Sequence, residues 1–293
     1  MAKAADAQSI RHWLGSHPTL NRLDLEVAVC RVLNCSRAYL LSHSDRILTA
    51  DEVSQLAPWS EGLYNHVPLA YLCGEQEFWG LKLTVDERVL VPRPDTETLV
   101  EQALLRLAQM RAGTNGPSAG PQPLSVLDLG TGSGAIALAL GSERRDLDLH
   151  GSDLSQESLK VAQLNSRRLG IPVTLHHGHW FDGLTQRFHL VVSNPPYIAP
   201  QDPHLPALGA EPSMALVSQD QGLADLRHIA RHSLDHLYSG GWLLLEHGFD
   251  QGEAVRDLLE TQGFRGVGTC RDLGGNERVT WGQAADQAES RDE

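Results

Sequence analysis

Cysteines, aromatic residues and long apolar runs are all scarce in this sequence of 293 residues. The apolar runs, such as residues 135–140, are far too short to span a bilayer. No apolar stretch follows the charged N-terminus, so no secretory signal is expected. The cysteines lack the paired spacing of a zinc site and are too few for a disulfide scaffold, which favours reduced thiols in a cytoplasm. They are Cys30, Cys35, Cys73 and Cys270.

Basic residues are also in deficit. Lysine and arginine together number 24 against 37 aspartates and glutamates, which gives a formal charge of −13. Surfaces that coat nucleic acids are normally basic, so direct binding to DNA or RNA is not expected. The apolar share of 41% is ordinary and predicts a globular cytoplasmic protein of one large or two modest domains.

Helical and strand patterns divide the chain into four parts. Apolar residues at helical spacing predict a small helical bundle over residues 1–76, and an alternating pattern predicts a β-hairpin linker over residues 77–92. From residue 93 to 282 strand and helix patterns alternate, which predicts a parallel sheet with crossover helices. Residues 283–293 are polar and are expected to be a disordered tail, and residues 111–123 are expected to form a flexible loop.

Two helix starts carry capping residues. Thr49 and Glu52 have the spacing of a capping box. Asp95 and Glu97 open a later helix beside two prolines, where acids suit the free N–H groups and the positive end of the helix dipole. We expect these acids to act as helix caps, whereas Arg93 is a candidate to line a site.

A glycine-rich turn directly follows a predicted buried strand. The strand covers residues 125–129, glycines occupy positions 130, 132 and 134, and an apolar helix follows. Glycine lets the backbone turn sharply and approach a ligand without a Cβ in the way. Asp153 ends the next strand, where it is placed to accept hydrogen bonds from ribose hydroxyls. Trp180 and Phe181 follow a third strand and could flank an adenine ring, so the pattern indicates a nucleoside cofactor.

Two cofactors compete for this site. NAD usually goes with the spacing G-x-G-x-x-G and needs contacts to its pyrophosphate. Here the spacing is G-x-G-x-G, and the carboxylate of Asp128 comes just before it. S-adenosylmethionine has no phosphate but carries an ammonium and a sulfonium, which suit nearby carboxylates and carbonyls. The sequence therefore favours S-adenosylmethionine.

A proline-locked corner follows another predicted strand, which contains Leu190 to Val192. Asn194 ends this strand, and the two prolines after it prevent helix and ladder continuation and keep the preceding residues extended. The Asn194 side-chain oxygen, the Pro195 carbonyl and the Tyr197 ring are thus presented together. The two oxygens can accept the N–H groups of a planar amide or amine while the ring packs on its plane. Taken alone, the corner could equally be an ordinary proline-rich turn.

Five stretches together resemble the bacterial release factor glutamine methyltransferases, the PrmC/HemK family. They are residues 91–97, 128–137, 192–197, 244–248 and 276–279. The resemblance covers nearly the whole chain and implies an α/β fold: a class I S-adenosylmethionine-dependent methyltransferase (Rossmann-like) domain preceded by a small helical-bundle domain and a linking β-hairpin. It implies methylation of the side-chain amide nitrogen (N5) of the glutamine in the GGQ motif of class I peptide chain release factors. The helical domain would help to dock the release factor.

The resemblance also implies roles for individual residues. The substrate glutamine would be held by Asn194, Pro195, Pro196 and Tyr197, of which Asn194, Pro195 and Tyr197 would be catalytic. S-adenosylmethionine would contact Gly130, Thr131, Gly132, Ser133, Gly134, Asp153, Trp180 and Asn194. This sequence departs from the family at His179, where an acidic residue often precedes the Trp-Phe pair. It also keeps Glu211 and the proline after it without the basic and aromatic residues often found before them.

Two other functions stay open. The corner would also suit the exocyclic amine of adenine, as in a DNA or RNA N6-adenine methyltransferase, although the acidic composition opposes this function. A cofactor-binding adaptor without catalysis is the second alternative. The histidines at 176, 177 and 179 lack a carboxylate or cysteine partner at ligand spacing, so no metal site is expected. Glu246 and His247 are expected to have a structural role at a strand end.

Overall fold

A computed structural model of the chain describes residues 8–113 and 123–285. It divides into two compact units with the boundary between Gly74 and Glu75. The predicted loop at 111–123 and the predicted tail at 283–293 lie largely outside the described residues. Within the described part of the chain, no helix is long and apolar enough to cross a bilayer.

The first unit is a helical bundle, as its sequence pattern predicts. Its apolar core includes Ile10, Leu25 and Leu56, each with at most 1% of its surface exposed. The predicted capping box is confirmed, because Thr49 Oγ1 accepts from the Glu52 N–H and Glu52 Oε2 accepts from the Thr49 N–H. Between residues 8 and 74 the helices are α1 (Ile10–Gly15), α2 (Arg22–Val32), α3 (Arg37–Ser42), α4 (Ala50–Tyr64) and α5 (Leu69–Cys73).

The second unit opens with a two-stranded hairpin of β1 (Glu75–Phe78) and β2 (Leu81–Thr84). The turn residues Trp79 and Gly80 have φ values of 53° and 70°, the left-handed pair of a type I′ turn that matches the strand twist. The hairpin is shorter than the sequence pattern indicates and groups with the second unit. We therefore propose that the domain boundary precedes the hairpin.

A mixed sheet forms the body of the second unit. Five neighbouring strands are parallel, as predicted, whereas β9 runs antiparallel to β7 and β8. Between residues 123 and 285 the strand order is β5-β4-β3-β6-β7-β9-β8. The strands are β3 (Ser125–Leu129), β4 (Asp148–Asp153), β5 (Thr174–His177), β6 (Phe188–Ser193), β7 (Leu237–Glu246), β8 (Arg265–Arg271) and β9 (Glu277–Gln283). The helices are α6 (Glu97–Gly113), α7 (Ala135–Glu143), α8 (Gln156–Leu169), α9 (Gln219–Gly222), α10 (Ala224–Ser233) and α11 (Gly252–Thr261).

The central strands are buried on both faces. In β6, Leu190 and Val192 join a core with residues of α6 and α7, while Val191 faces the opposite core with residues of α10 and α11. Burial on both sides explains why this strand has a continuous apolar run instead of an alternating one.

The carboxyl ends of β3 and β6 meet at the point where the strand order reverses. Leu129 and Ser193 are register partners, and Ser193 Oγ donates to the Leu129 carbonyl at 2.7 Å. The glycine turn and the proline corner therefore leave the sheet side by side. In open α/β sheets this reversal point is where ligands bind.

Candidate active site

The glycine turn forms one wall of a cavity of about 290 Å³. Gly130, Gly132 and Gly134 have φ values of 69°, 55° and 82°, a region that side-chain-bearing residues rarely adopt. Gly130 and Gly132 line the cavity, and a Cβ on Gly130 would lie 3.4 Å from the Trp180 ring. Gly134 instead caps the start of α7.

Asp128 holds the turn in place. Its Oδ2 accepts from Thr131 Oγ1 at 2.7 Å and from the Ala137 N–H at 3.2 Å, so it joins the turn to the first part of α7. Its burial raises its pKa to about 7, and Oδ1 has no hydrogen-bond partner among the described residues. Thr131 and Ser133 are buried off the cavity wall, and the Ser133 carbonyl accepts from Asn165 Nδ2 at 2.9 Å. Thr131 and Ser133 thus shape the turn.

Asp153 ends β4 and faces the cavity. Its Oδ2 accepts from the Gly132 N–H at 2.9 Å and its Oδ1 from the Ser155 N–H at 2.8 Å. Burial raises the pKa of this carboxyl above its ordinary value. A carboxylate oxygen accepts more than one hydrogen bond, so both oxygens can still receive hydroxyl donors from a ligand.

The aromatic wall of the cavity is Trp180. Its backbone has a φ of 50°, and its carbonyl accepts from Ser152 Oγ at 3.0 Å. The indole Nε1 is buried and has no partner among the described residues. Phe181 does not share this wall, because it is buried in the core and stacks on His236 with ring centroids 4.6 Å apart. His179 is exposed at the cavity.

Sequence reasoning missed several residues on the cavity wall. Arg88, Met214 and Asp225 line it, and Arg88 Nη2 pairs with Asp86 Oδ2 at 2.5 Å. They lie in segments without a ligand-binding motif. Asp225 alone has a sequence signal, an acid in the first turn of a helix, but that signal usually indicates only a helix start.

A second cavity of about 230 Å³ lies on the other side of the proline corner. Asn194 lines both cavities, Pro196 lines the first, and Pro195 and Tyr197 line the second. The two cavities share three lining residues, Leu90, Asn194 and Ala215, and of these three Asn194 alone has a polar side chain. Ligands in the two cavities would therefore both lie against Asn194.

The Asn194 carboxamide belongs to a buried polar network. Its Nδ2 donates to Thr96 Oγ1 at 3.2 Å, and the Thr96 hydroxyl also hydrogen-bonds the Glu246 carboxyl. Tyr197 Oη donates to Glu246 Oε1 at 3.4 Å, and burial raises the pKa of this phenol. Glu246 at the end of β7 is almost fully buried, which raises its pKa to about 7.

The predicted caps Asp95 and Glu97 have distant partners instead. Asp95 Oδ2 pairs with Arg278 Nη2 at 3.5 Å, and Glu97 Oε1 accepts from the Trp79 N–H at 2.8 Å. A 3₁₀ turn, Pro94–Thr96, precedes α6 and has no side-chain cap. Asp95 and Glu97 therefore lie in first helical turns, as predicted, but the 3₁₀ turn lacks the expected side-chain cap and groups distant in sequence engage the two carboxylates.

Arg93 lines the second cavity and is fixed by Glu211. The Glu211 carboxylate pairs with the Arg93 guanidinium, and its Oε2 accepts from the Val91 N–H at 3.1 Å. The Glu211 carboxylate is buried, whereas the Arg93 side chain is 39% exposed. This residue links two segments that are far apart in the sequence.

Replacing Glu211 with alanine should lower the free energy of unfolding by about 1–3 kcal/mol, because the Val91 N–H loses its acceptor in a buried site. Chemical denaturation measures this loss. Glu157→Ala is the matched control, since Glu157 pairs with Lys160 at the surface. The control should cost about 1 kcal/mol or less. Equal losses in the two variants would contradict the buried role of Glu211.

Glu246→Gln should change how stability depends on pH. The pKa of Glu246 rises from 4.5 to about 7 because of its burial, so the folded protein binds the proton more tightly than the unfolded chain. The wild type therefore loses stability as pH rises from 4.5 to about 7, whereas glutamine does not titrate. The stability of the variant relative to the wild type should improve over this range by on the order of 2–3 kcal/mol. Denaturation at pH 5 and pH 8 checks this, and a pH-independent difference would contradict it.

The histidines that are close together in the sequence, His176, His177 and His179, have different partners in the structure. His176 Nε2 contacts His150 Nδ1 at 3.0 Å, whereas His177 Nε2 contacts the Leu154 carbonyl at 3.0 Å. Within residues 8–113 and 123–285, no three His, Cys, Asp or Glu side chains are grouped to hold a metal ion. His247 Nε2 bonds Thr280 Oγ1 at 2.8 Å, a structural contact.

Comparison with known proteins defines the class. Residues 119–209 match the family model of the methyltransferase small domain, and residues 13–74 match that of the PrmC N-terminal domain. A solved methyltransferase from Pyrococcus furiosus has a TM-score of 0.52, covering 70% of this chain and 90% of that chain at 17% identity. That likeness concerns the fold alone. The fold, with its glycine turn at the reversal point of the sheet, is that of a class I methyltransferase.

Sequence identity to named proteins shows the family to which the chain belongs. The release factor glutamine methyltransferase of Escherichia coli is 44% identical over 266 residues, which are 89% of this chain and 92% of the relative. That of Pseudomonas aeruginosa is 45% identical over 268 residues, 90% of this chain and 93% of the relative. The chain belongs to the release factor glutamine methyltransferase family.

Proposed function

We propose that this chain transfers a methyl group from S-adenosylmethionine to the side-chain amide nitrogen (N5) of the glutamine in the GGQ motif of class I peptide chain release factors. The observation that supports this most directly is the proline corner between two cavities. One cavity has the features of a nucleoside site, and the other is lined by Asn194, Pro195 and Tyr197, the residues expected to hold the amide. The names of the relatives supply the class of substrate protein.

The first cavity fits S-adenosylmethionine. Asp153 would accept from the ribose hydroxyls, Trp180 would flank the adenine, and Gly130 and Gly132 leave room for close backbone approach. The buried, unpartnered Trp180 Nε1 is an unused donor beside this space. When bound, the cofactor supplies an electrophilic methyl group on a positively charged sulfur. Membership of a methyltransferase family removes NAD as the competing cofactor.

Asn194 and Pro195 would prepare the substrate amide for attack. An amide nitrogen is a poor nucleophile because its lone pair is delocalised into the carbonyl. Asn194 Oδ1 and the Pro195 carbonyl would accept its two N–H bonds, which fixes the nitrogen in place and raises its electron density as the transition state forms. The Tyr197 ring would pack on the amide plane. A strong general base is not needed, since the nitrogen becomes acidic only as it is methylated.

The first unit would supply the docking surface. We propose that residues 1–74, which contain the stretch matching the PrmC N-terminal domain, help to bind the release factor. We also propose that the reaction takes place in the cytoplasm. The acidic composition opposes direct binding to nucleic acid. Family membership also favours this function over an adenine N6-methyltransferase.

Incubation with methyl-labelled S-adenosylmethionine tests the proposal. The acceptors are a class I release factor, the same factor with its GGQ glutamine replaced by alanine, and adenine-containing DNA and RNA. We expect label on the unmodified factor alone. Equal labelling of the alanine variant, or preferential labelling of a nucleic acid, would overturn the proposed substrate.

A further inference from the structure

We propose that Thr96 is a positioning residue that fixes the Asn194 carboxamide so that Oδ1, and not Nδ2, faces the substrate. This inference rests on the proposed function, because it concerns the group that would hold the substrate amide. A carboxamide has an acceptor at one end and two donors at the other. Of its two flipped orientations, only one can accept an N–H from a substrate amide. The active site therefore needs a device that selects this orientation.

The hydrogen-bond partners of Thr96 make this selection. A hydroxyl group has a single proton to donate. The Thr96 hydroxyl contacts both the Glu246 carboxyl and Asn194, the latter at 3.2 Å. At pH 8, above the pKa of about 7, the Glu246 carboxylate is mostly ionised and only accepts, so Thr96 gives its proton to Glu246 and accepts from Asn194. The nitrogen of the Asn194 carboxamide thereby faces Thr96, and its oxygen points away.

Glu246 is buried where it can impose this polarity, with its Oε2 unpartnered among the described residues. Its side chain is buried at the end of β7, and a second hydroxyl, that of Tyr197, donates to its Oε1. The charged groups that face it are Arg278 and Asp95. Arg278 Nη2 is itself fixed by Asp272 Oδ2 at 3.0 Å. Burial raises the pKa of this carboxyl to about 7, while two hydroxyl donors and the nearby guanidinium favour its ionised form, so it acts as an acceptor above that pH.

This network gives a role to buried polar residues that would not contact the substrate or the cofactor. Thr96, Glu246 and Arg278 come from three separate segments of the chain, yet Thr96 contacts Asn194, Glu246 contacts Thr96, and Arg278 acts on Glu246 through its charge. In the part of the chain that the structure describes, none of the three lines either cavity. Their burial away from the ligand spaces fits a positioning role.

Steady-state kinetics on Thr96→Val and Thr96→Ser test the proposal at pH 8. Valine keeps the shape of threonine and removes the hydroxyl, whereas serine keeps the hydroxyl and removes the methyl group. We expect Thr96→Val to lower kcat at least tenfold with less than a twofold change in cofactor Kd, and Thr96→Ser to stay within threefold of wild type. A Thr96→Val variant with normal kcat would overturn the proposal. So would a serine variant as impaired as the valine one, because the methyl group would then be the important part.

A second measurement does not need the release factor. The side-chain NH₂ signal of Asn194 can be assigned by NMR from its disappearance in Asn194→Asp. We expect hydrogen exchange of this NH₂ group to be at least fivefold faster in Thr96→Val than in the wild type and Thr96→Ser. Equal hydrogen exchange in all three proteins would refute the proposal that Thr96 orients the Asn194 carboxamide. Failure of the proposed function would instead appear as absent methylation of the release factor by the wild type.

Glu246→Gln gives an independent route if Thr96→Val does not fold. A glutamine amide can donate to Thr96, which frees the Thr96 proton for Asn194 Oδ1 and allows the carboxamide to flip. We expect a lower kcat and faster exchange of the Asn194 NH₂ group in this variant. Unchanged kcat and exchange would count against the polarity argument.

Discussion

Replacing Asn194 with alanine is expected to lower kcat for methyl transfer by roughly 10²–10³-fold, the usual effect of deleting one preorganised hydrogen-bonding group that acts in the transition state. Its Oδ1 would be one of two acceptors for the substrate N–H groups, and the nearby Pro195 carbonyl cannot replace it. Gly130, Gly132 and Asp153 still line the first cavity in the variant. Cofactor affinity should therefore change only a few-fold.

Parallel measurement of cofactor Kd by calorimetry and of methyl transfer to a release factor checks this. Gln186→Ala is the matched control, since it removes an exposed carboxamide that lines neither cavity. The control should keep the kcat and the Kd of the wild type. Near-normal turnover by Asn194→Ala would show that the corner does not hold the reacting amide.

Replacing Asp153 with alanine is expected to raise the Kd for S-adenosylmethionine by about 100-fold or more, because two charge-assisted hydrogen bonds of about 1.5–3 kcal/mol each are lost. The variant also loses the acceptors for the Gly132 and Ser155 N–H groups, which hold the cavity wall. Asp153→Asn keeps one acceptor oxygen and should give an intermediate Kd.

Measuring kcat at a saturating concentration of S-adenosylmethionine distinguishes the loss of cofactor affinity in Asp153→Ala from the loss of catalysis in Asn194→Ala. With enough S-adenosylmethionine, Asp153→Ala should recover much of its kcat, whereas Asn194→Ala should not. Asp148→Ala is the control, because Asp148 is exposed at the opposite end of the same strand, β4. A Kd within threefold of wild type in Asp153→Ala would exclude the ribose role.

Much of the backbone of the site follows from local sterics. Glycines at 130, 132 and 134 permit left-handed φ values, and the two prolines after Asn194 end β6. Apolar runs identify strands covered on both faces, and parallel strands bring their carboxyl ends to one edge of the sheet. These constraints act within a few residues, so the sequence predicts where the glycine turn and the corner lie.

The hydrogen-bond partners of the side chains in the site cannot be predicted from local sequence. Asn194 and Thr96 are 98 positions apart, and Val91 and Glu211 are 120 apart. No local pattern indicates such pairs. Asp95, for example, has the ordinary signal of a helix cap but forms an ion pair with Arg278.

By itself, the sequence determined the parallel sheet, the glycine turn and the stiff corner at Asn194, because backbone sterics and apolar periodicity act over short distances. Only the tertiary structure decided that Asn194 lies between two cavities, that Phe181 belongs to the core, and that Thr96 and Glu246 stand behind the carboxamide. The physical reason is that buried polar groups must find partners wherever packing brings them together.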